Sequence, residues 1–322
     1  MDLNFLKPIE QGRGLLGTEK VTIAYTLFTA AVILLLWDGM SSPSRLIYGR
    51  MLVMLGMAVT FALYNFQPCR ATLLIRHLYP LSLLAYWYPD TYEFCSTFPN
   101  LDHVFATADF RLFGCQPSLE FAKAMPQKLW SELFNMGYFA YYPLIALTVL
   151  TPFFTDKRVL GRTAFVVLAS FFLYYLIYLF LPVAGPQYYF HAIDPQCIAT
   201  GRFPHIGDYF RYHTEIGGSP GPHGFFRSLV ESTQESGERP TAAFPSSHVG
   251  MSTILMLLMW TNKNRRLFVF SLPFYVLLCC ATVYIEAHYL VDVFGGLLSA
   301  VIFFKFTLWL YPKLGNRSLQ LE

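Results

Sequence analysis

Long apolar runs, joined by short polar links and by two long mixed segments, dominate the chain. Most of these runs approach the roughly 20 residues with which a helix crosses the apolar core of a bilayer. The pattern predicts an all-α fold, a polytopic membrane helix bundle of about eight transmembrane helices. The runs lie at about 21–37, 47–66, 71–88, 133–154, 162–183, 246–261, 267–287 and 289–311.

Composition supports the same class of protein. Only 13% of the 322 residues are charged and 55% are hydrophobic, whereas about a quarter of the residues of a soluble domain are charged. The formal net charge is +3, and the basic residues form short clusters without a basic stripe. This distribution indicates a bilayer as the surrounding medium and argues against a nucleic-acid partner.

The basic clusters also predict the orientation of the chain, because short loops on the cytoplasmic side of a membrane are enriched in Lys and Arg. With eight spans, the loops 155–161 and 261–266 and both tails fall on one side. We therefore expect both termini to be cytoplasmic. The basic residues concerned are Lys7, Arg13, Lys20, Lys157, Arg158, Lys263, Arg265, Arg266, Lys313 and Arg317.

The same threading places the segments 38–46, 89–132 and 184–243 on the outer, periplasmic or lumenal face. The segment 89–132 mixes apolar and charged residues and predicts amphipathic helices at the interface. The segment 184–243 is rich in Gly, Pro, His and Arg and predicts a loop that covers the outer ends of the helices. Two of the three cysteines in these segments could form a disulfide. The three are Cys95, Cys115 and Cys197.

Two polar stretches stand at the outer ends of apolar runs, "TAAFPSSHVG" at 241–250 and "EAHYLVDVFGG" at 286–296. His248 falls in the first turn of one predicted helix, and His288 begins another that opens from the same face. Asp292 follows His288 by four residues, which on a helix is one turn away on the same side. A carboxylate there fixes the imidazole tautomer and leaves the other ring nitrogen as a nucleophile.

The start of the helix at 246–248 predicts a phosphate site. Its first backbone N–H groups, those of Ser246, Ser247 and His248, have no intrahelical acceptor, and the helix dipole favours an anion there. His248 would protonate a leaving oxygen as a general acid. Arg239 is our first candidate for neutralising the phosphate, and Arg227 is the second. These parts together indicate phosphoryl transfer.

Other interpretations of the same residues remain. A Ser-Ser pair before a helix is often only a cap, and a histidine at a helix end is often an interfacial side chain. His248, His288 and Asp292 could also serve as metal ligands. A transporter or a catalytically inactive scaffold is a further alternative, although its charged residues would be expected along a transmembrane pathway.

"FPSSH" followed by "AHYLVDVFGG" resembles the signatures of the type 2 phosphatidic acid phosphatase superfamily, best over 133–311. The resemblance implies a six-helix catalytic core in a domain 67–322, in which 71–88 supplies one helix. Residues 1–66 would form a cytoplasmic tail and an added transmembrane hairpin. By resemblance, His288 would form a phosphohistidine, Asp292 would orient it and His248 would be the acid, without a metal or another cofactor.

The chain departs from the phosphatase signatures of that superfamily at several positions. Ala281 and Thr282 stand where Ser-Arg is usual, Ser232 replaces the lysine before Arg239-Pro240, and Ser247 replaces a glycine. The pattern is more similar to the branch containing inositol phosphorylceramide synthase and sphingomyelin synthase. It therefore implies a lipid phosphotransferase that moves a phospho-headgroup. The alternative is a lipid phosphatase acting on phosphatidate, a prenyl pyrophosphate or a similar lipid.

Overall fold

The structure, a computed structural model, describes residues 6–9, 12–155, 159–218 and 220–315. Within these ranges the chain consists of helices and connecting loops without a strand, so the predicted all-α fold is confirmed. Three basic residues of the topology prediction, Lys157, Arg158 and Arg317, lie outside the described residues.

Fifteen α-helices occur in the described part of the chain. The first eight are α1 (Gly17–Leu35), α2 (Pro43–Phe66), α3 (Arg70–Ser82), α4 (Leu84–Cys95), α5 (Asp102–Phe113), α6 (Pro117–Ala124), α7 (Lys128–Phe139) and α8 (Tyr141–Thr155). The others are α9 (Leu160–Phe180), α10 (Pro186–Ala192), α11 (Pro195–Thr200), α12 (Phe225–Gly237), α13 (Ser247–Thr261), α14 (Arg265–Tyr284) and α15 (Leu290–Leu314).

Six helical stretches of the described residues are long and apolar enough to cross a membrane: α1, α2, α9, α14, α15 and Lys128–Phe154, which joins α7 to α8. The helix α13 is apolar but shorter, with 15 residues. These helices fit an integral membrane protein. The difference from eight predicted spans arises at α13 and at 71–88, which does not form one long helix.

The predicted span 71–88 is divided between α3 and α4 at Leu83. Pro80 lies inside α3 and lacks the N–H that an unbroken helix would use. Arg76 of α3 packs its guanidinium over the ring of Tyr64 near the end of α2, whereas Asp90 of α4 pairs with Arg50 near its start. The two short helices therefore run antiparallel to α2 along about 21 Å of its axis.

Two buried ion pairs neutralise the charges of this region. Arg76 binds Glu19 through two hydrogen bonds of 2.7 and 2.6 Å, and Arg50 binds Asp90 through two of 3.0 and 2.6 Å. Buried charges are tolerated when they are paired with such bidentate geometry. Arg76, a charged residue within the predicted span 71–88, is thus paired with Glu19.

The described chain forms two compact units, each assembled from separate stretches of sequence. The first takes in residues up to Asp90, Thr148–Leu173, and residues from Phe303 onward; the second takes in Thr91–Leu147 and Tyr174–Ile302. Both polar stretches, 241–250 and 286–296, lie in the second unit.

Within the second unit, two glycines bring α15 against the start of α13. A Cβ added to Gly296 would lie 2.6 Å from the carbonyl oxygen of Ser246, and one added to Gly295 would lie 2.6 Å from the ring of Phe244. Larger residues would push the helices apart. The glycine pair thus permits the close approach that joins the two polar stretches.

Candidate active site

The two predicted histidines face each other. His248 projects from the first turn of α13, and His288 lies in the short link between α14 and α15. Their ring centroids are 5.8 Å apart, with an angle of 63° between the ring planes. His288 is buried, with 4% of its surface exposed, while His248 is half-buried.

A backbone carbonyl orients the ring of His288. Its Nδ1 lies 2.8 Å from the carbonyl oxygen of Ala243 and 3.6 Å from Oδ2 of Asp292. A carbonyl oxygen only accepts hydrogen bonds, so Nδ1 carries the proton and Nε2 keeps its lone pair. Burial lowers the pKa of His288 to about 4, and the hydrogen bond to Ala243 opposes this shift. The ring is therefore neutral at physiological pH, with a free nucleophilic nitrogen.

The sequence predicts that Asp292 fixes this tautomer across one helical turn, and here the structure differs. The helix α15 begins at Leu290, so His288 precedes it and its ring points at the 241–244 loop. Asp292 remains next to the ring, although its Oδ2 accepts a hydrogen bond of 2.9 Å from the N–H of Tyr289. Its Oδ2 lies 3.6 Å from Nδ1 of His288, which is longer than a hydrogen bond.

Asp292 also joins the two polar stretches through its backbone. Its carbonyl oxygen accepts a hydrogen bond of 3.0 Å from the N–H of Ser246. The predicted phosphate site included the N–H of Ser246, and the structure corrects this, because Asp292 already accepts the hydrogen bond of that group. The Oγ of Ser246 caps the helix by accepting from the N–H of Val249 at 3.3 Å. The N–H groups of Ser247 and His248 start α13 and have no intrahelical acceptor, and the N–H of Ser247 is hydrogen-bonded to the hydroxyl of Tyr178.

Two tyrosines enclose His248, and the sequence interpretation missed both. Tyr138 stacks on the imidazole with a centroid distance of 4.5 Å and an angle of 27°. Tyr141 lies on it at 4.5 Å and 44°. Their spacing of three residues in an apolar run places both on one side of a helix, and this spacing is the signal that could have identified them.

Asp109 holds the start of α15. Its two carboxylate oxygens accept hydrogen bonds from the N–H groups of Leu290 at 2.8 Å and Val291 at 3.0 Å. A carboxylate is the preferred group at the positive end of a helix dipole. The N–H groups at the start of α15 are therefore already bound to a carboxylate. The first turn of α13, in contrast, contains His248, whose ring contacts that of His288.

Asp102 connects Tyr289, which precedes α15, to the link that leads into α10. Its oxygens accept hydrogen bonds from the N–H groups of Ala184 at 2.7 Å and Gly185 at 2.8 Å, and from the hydroxyl of Tyr289 at 2.9 Å. Burial raises the pKa of Asp102 to about 6, and these hydrogen bonds oppose the shift. Two aspartates seven residues apart in an apolar helix share one face, a signal that the amphipathic interpretation of 89–132 did not use.

The two candidate arginines are engaged elsewhere. Arg227 is buried, and its Nε donates to Oε1 of Glu231 at 2.8 Å while its Nη1 donates to the carbonyl oxygen of Gly221. Arg239 donates from Nη1 to the carbonyl oxygen of Glu238 at 2.7 Å. The hydrogen bonds described for their side chains do not include His248 or His288.

Metal ligation and disulfides were the other chemistries open to this region. In the ranges that the structure describes, no group of three or more His, Cys, Asp and Glu side chains could hold a metal ion. The six cysteines, including Cys95, Cys115 and Cys197, are free thiols.

Residues 102–306 match the family described as the PAP2 superfamily. The match covers more than half of the chain and includes both histidines, Asp292 and the tyrosines around His248. It begins at Asp102, the carboxylate that binds the hydroxyl of Tyr289. No curated protein and no solved structure matches the chain.

Proposed function

Since this chain belongs to the PAP2 superfamily, we propose that it is an integral membrane lipid phosphotransferase of the inositol phosphorylceramide synthase type. Superfamily membership supports a lipid phosphatase or phosphotransferase in general terms. The observation that carries the proposal is the pair His248 and His288, whose ring centroids lie 5.8 Å apart at the start of α13.

The first half of the reaction forms a phosphohistidine. Nε2 of His288 attacks the phosphorus of the donor lipid, a nitrogen–phosphorus bond forms, and the bond from phosphorus to the lipid alcohol oxygen breaks. His248 gives its proton to that oxygen, so the alcohol leaves neutral. Developing charge on the phosphoryl oxygens is stabilised by the N–H of His248 at the start of α13. The N–H of Ser247 would first have to leave the hydroxyl of Tyr178.

The second half returns the phospho-headgroup to an alcohol. His248, now neutral, takes the proton of the acceptor hydroxyl as its oxygen attacks phosphorus, and the bond to His288 breaks. Water as acceptor gives a phosphatase, which is the alternative function. The departures from the phosphatase signature at Ala281, Thr282 and Ser232 favour an alcohol acceptor.

Asp292 supports His288 through its charge. Phosphorylation on Nε2 leaves the ring with a proton on Nδ1 and partial positive charge, and Oδ2 of Asp292 lies 3.6 Å from that nitrogen. A carboxylate at this distance in a buried site stabilises the charged ring. Among the substrate-binding candidates, Ser246 sets the helix start. Arg239 would have to turn its guanidinium from the carbonyl oxygen of Glu238 toward the phosphate, and Arg227 would first have to leave Glu231.

The proposal also includes the orientation of the chain. Lys263, Arg265 and Arg266 lie at the end of α13 opposite His248, about 20 Å away along the helix axis. The positive-inside rule puts that end in the cytoplasm and the histidines at the outer, periplasmic or lumenal face. Both termini would then be cytoplasmic, with residues 1–66 as an added region and 67–322 as the catalytic domain.

The test is a single reaction with two possible acceptors. Purified protein in detergent receives a phosphoinositide labelled in its headgroup phosphate, together with ceramide in water, and the labelled products are separated. We expect labelled inositol phosphorylceramide from the wild type and none from His288→Ala or His248→Ala. Labelled water-soluble phosphate alone would establish the phosphatase alternative.

Equal product from wild type and both histidine variants would refute the catalytic assignment. A parallel reaction with EDTA addresses the metal alternative, because loss of activity on chelation would contradict the metal-free mechanism. Exposed Glu235 supplies the matched control variant, Glu235→Gln, which should retain wild-type activity.

A further inference from the structure

Behind the aromatic enclosure of His248 lies an acidic side chain that the proposed mechanism does not use. The hydroxyl of Tyr138, whose ring stacks on His248, donates a hydrogen bond of 3.0 Å to Oε1 of Glu238. Glu238 follows the last residue of α12, while Tyr138 lies near the end of α7. The contact therefore ties the outer segment 184–243 to the residue that faces the catalytic pair.

Glu238 is itself held from the other side. Its Oε2 accepts a hydrogen bond of 3.0 Å from Nε2 of Gln187 in α10, and Oε1 of Gln187 accepts one of 3.2 Å from Nε2 of Gln234 in α12. Burial raises the pKa of Glu238, and the hydrogen bonds from Gln187 and Tyr138 oppose this. The carboxylate has a fixed place, so the tyrosine hydroxyl bound to it has one as well.

The position of the Tyr138 ring matters because His248 cycles through a charged state. In the proposed reaction His248 carries a proton before it protonates the leaving alcohol and again after it deprotonates the acceptor. The faces of Tyr138 and Tyr141 attract the imidazolium and limit the directions in which it can point. A tyrosine whose hydroxyl donates to a carboxylate has a more electron-rich ring, which strengthens this attraction.

We propose that Glu238 is a positioning residue for the general acid: it holds the ring of Tyr138 against His248 by binding the tyrosine hydroxyl. This inference rests on the proposed function. Its chemistry is distinct from substrate binding, because the carboxylate acts on His248 through the tyrosine and reaches neither the phosphate nor the alcohol.

Four variants test the chain of contacts. Tyr138→Phe keeps the ring and removes the hydroxyl, Glu238→Gln keeps an oxygen acceptor without the charge, and Glu238→Ala removes the acceptor. The fourth is the double variant Tyr138→Phe with Glu238→Ala. Glu235→Gln is the control, since Glu235 lies in α12 three residues before Glu238 and is exposed.

We expect Tyr138→Phe and Glu238→Ala each to lower kcat about tenfold, part of the contribution of a general acid, with KM unchanged. Glu238→Gln should retain more activity than Glu238→Ala, and the double variant should be no slower than the slower single variant. The alkaline limb of the kcat profile should move to lower pH by roughly one unit, because the charged state of His248 is less stabilised.

Each contrary result has one meaning. An inactive wild type defeats the proposed function, whereas an active wild type with Glu238→Ala and Tyr138→Phe equal to Glu235→Gln defeats the positioning role alone. A rise in KM without loss of kcat would make Glu238 a substrate-binding residue, and additive losses in the double variant would separate it from Tyr138. Either outcome overturns the inference.

Discussion

The ring of His288 takes its orientation from the backbone of Ala243, whose carbonyl oxygen lies 2.8 Å from Nδ1. Any residue at position 243 offers the same carbonyl, so the tautomer of the nucleophile depends on the path of the loop. In the proposed mechanism, two functions that one carboxylate often combines are divided. The carbonyl orients the ring, and the carboxylate of Asp292, 3.6 Å from Nδ1, supplies charge.

The first prediction concerns Asp292. Asp292→Asn keeps the size of the side chain and removes its charge, so His288 should stay in place and form its phosphoryl adduct more slowly. We expect a fall in the rate of formation of the labelled phosphohistidine of roughly 10- to 100-fold, equivalent to about 1.4–2.7 kcal/mol. Rapid-quench measurement of acid-labile, protein-bound label checks this. A variant as inactive as His288→Ala would show instead that Asp292 is needed for the orientation of the ring.

The second prediction concerns pH. Burial lowers the pKa of His288 to about 4, below its unfolded value of about 6.5. The nucleophile should therefore remain neutral down to about pH 4, and the phosphohistidine burst should persist through pH 5. Between these two pKa values the unfolded state binds more protons, so this residue makes folding less stable as pH falls from 6.5 to 4. A burst that fades with a midpoint near 6.5 would contradict the buried, neutral ring.

The third prediction concerns the cap on α15. Asp109→Ala leaves the N–H groups of Leu290 and Val291 without their acceptor and should cost about 1 kcal/mol of stability. It should also lower kcat, because the residues before α15 carry His288. Asp194→Ala is the matched control, since Asp194 caps α11 by accepting from the N–H of Gln196.

Thermal unfolding in detergent and turnover are measured on both cap variants. Loss of stability in both with loss of kcat only in Asp109→Ala would support a role in positioning the nucleophile. If both variants keep the wild-type kcat, the start of α15 does not need its carboxylate for catalysis.

The fourth prediction concerns the buried pair Arg76 and Glu19. Glu19→Ala leaves a fully buried guanidinium without its partner and should lower stability by about 3–5 kcal/mol. Replacing both residues by methionine should restore much of that loss, because the isolated charge is gone. A thermal unfolding series of the single and double variants checks this, and a double variant no more stable than Glu19→Ala would contradict it.

The sequence predicts the helices and part of the site, for physical reasons that differ between the two. Apolar runs predict membrane helices because a bilayer leaves the backbone few alternatives. The sequence predicts that His248 and His288 lie close together, because each stands at the end of an apolar run that the topology places at the outer face. The break of 71–88 at Leu83 could not be placed, since it depends on how Arg76 and Asp90 find their partners.

The contacts that orient the site were not predictable in the same way. The partner of His288 is a backbone carbonyl oxygen 45 residues away in the sequence. Every residue has such a carbonyl, so the amino-acid type at position 243 cannot predict this contact. Asp109 reaches a helix start 181 residues later, a pairing that only the folded chain defines. Tyr138 and Tyr141 belong to an apolar run in which aromatic residues are common, so their role around His248 is hidden by their surroundings.

The carboxylate of Asp109 at the start of α15 has a kinetic consequence. Because Asp109 fills that helix end, the proposed site has one position for a phosphoryl group, at the start of α13. Donor and acceptor lipids must then occupy this position in turn, and the first alcohol has to diffuse away before the second enters. Initial rates measured against both substrates should follow a ping-pong law, giving parallel lines in double-reciprocal plots.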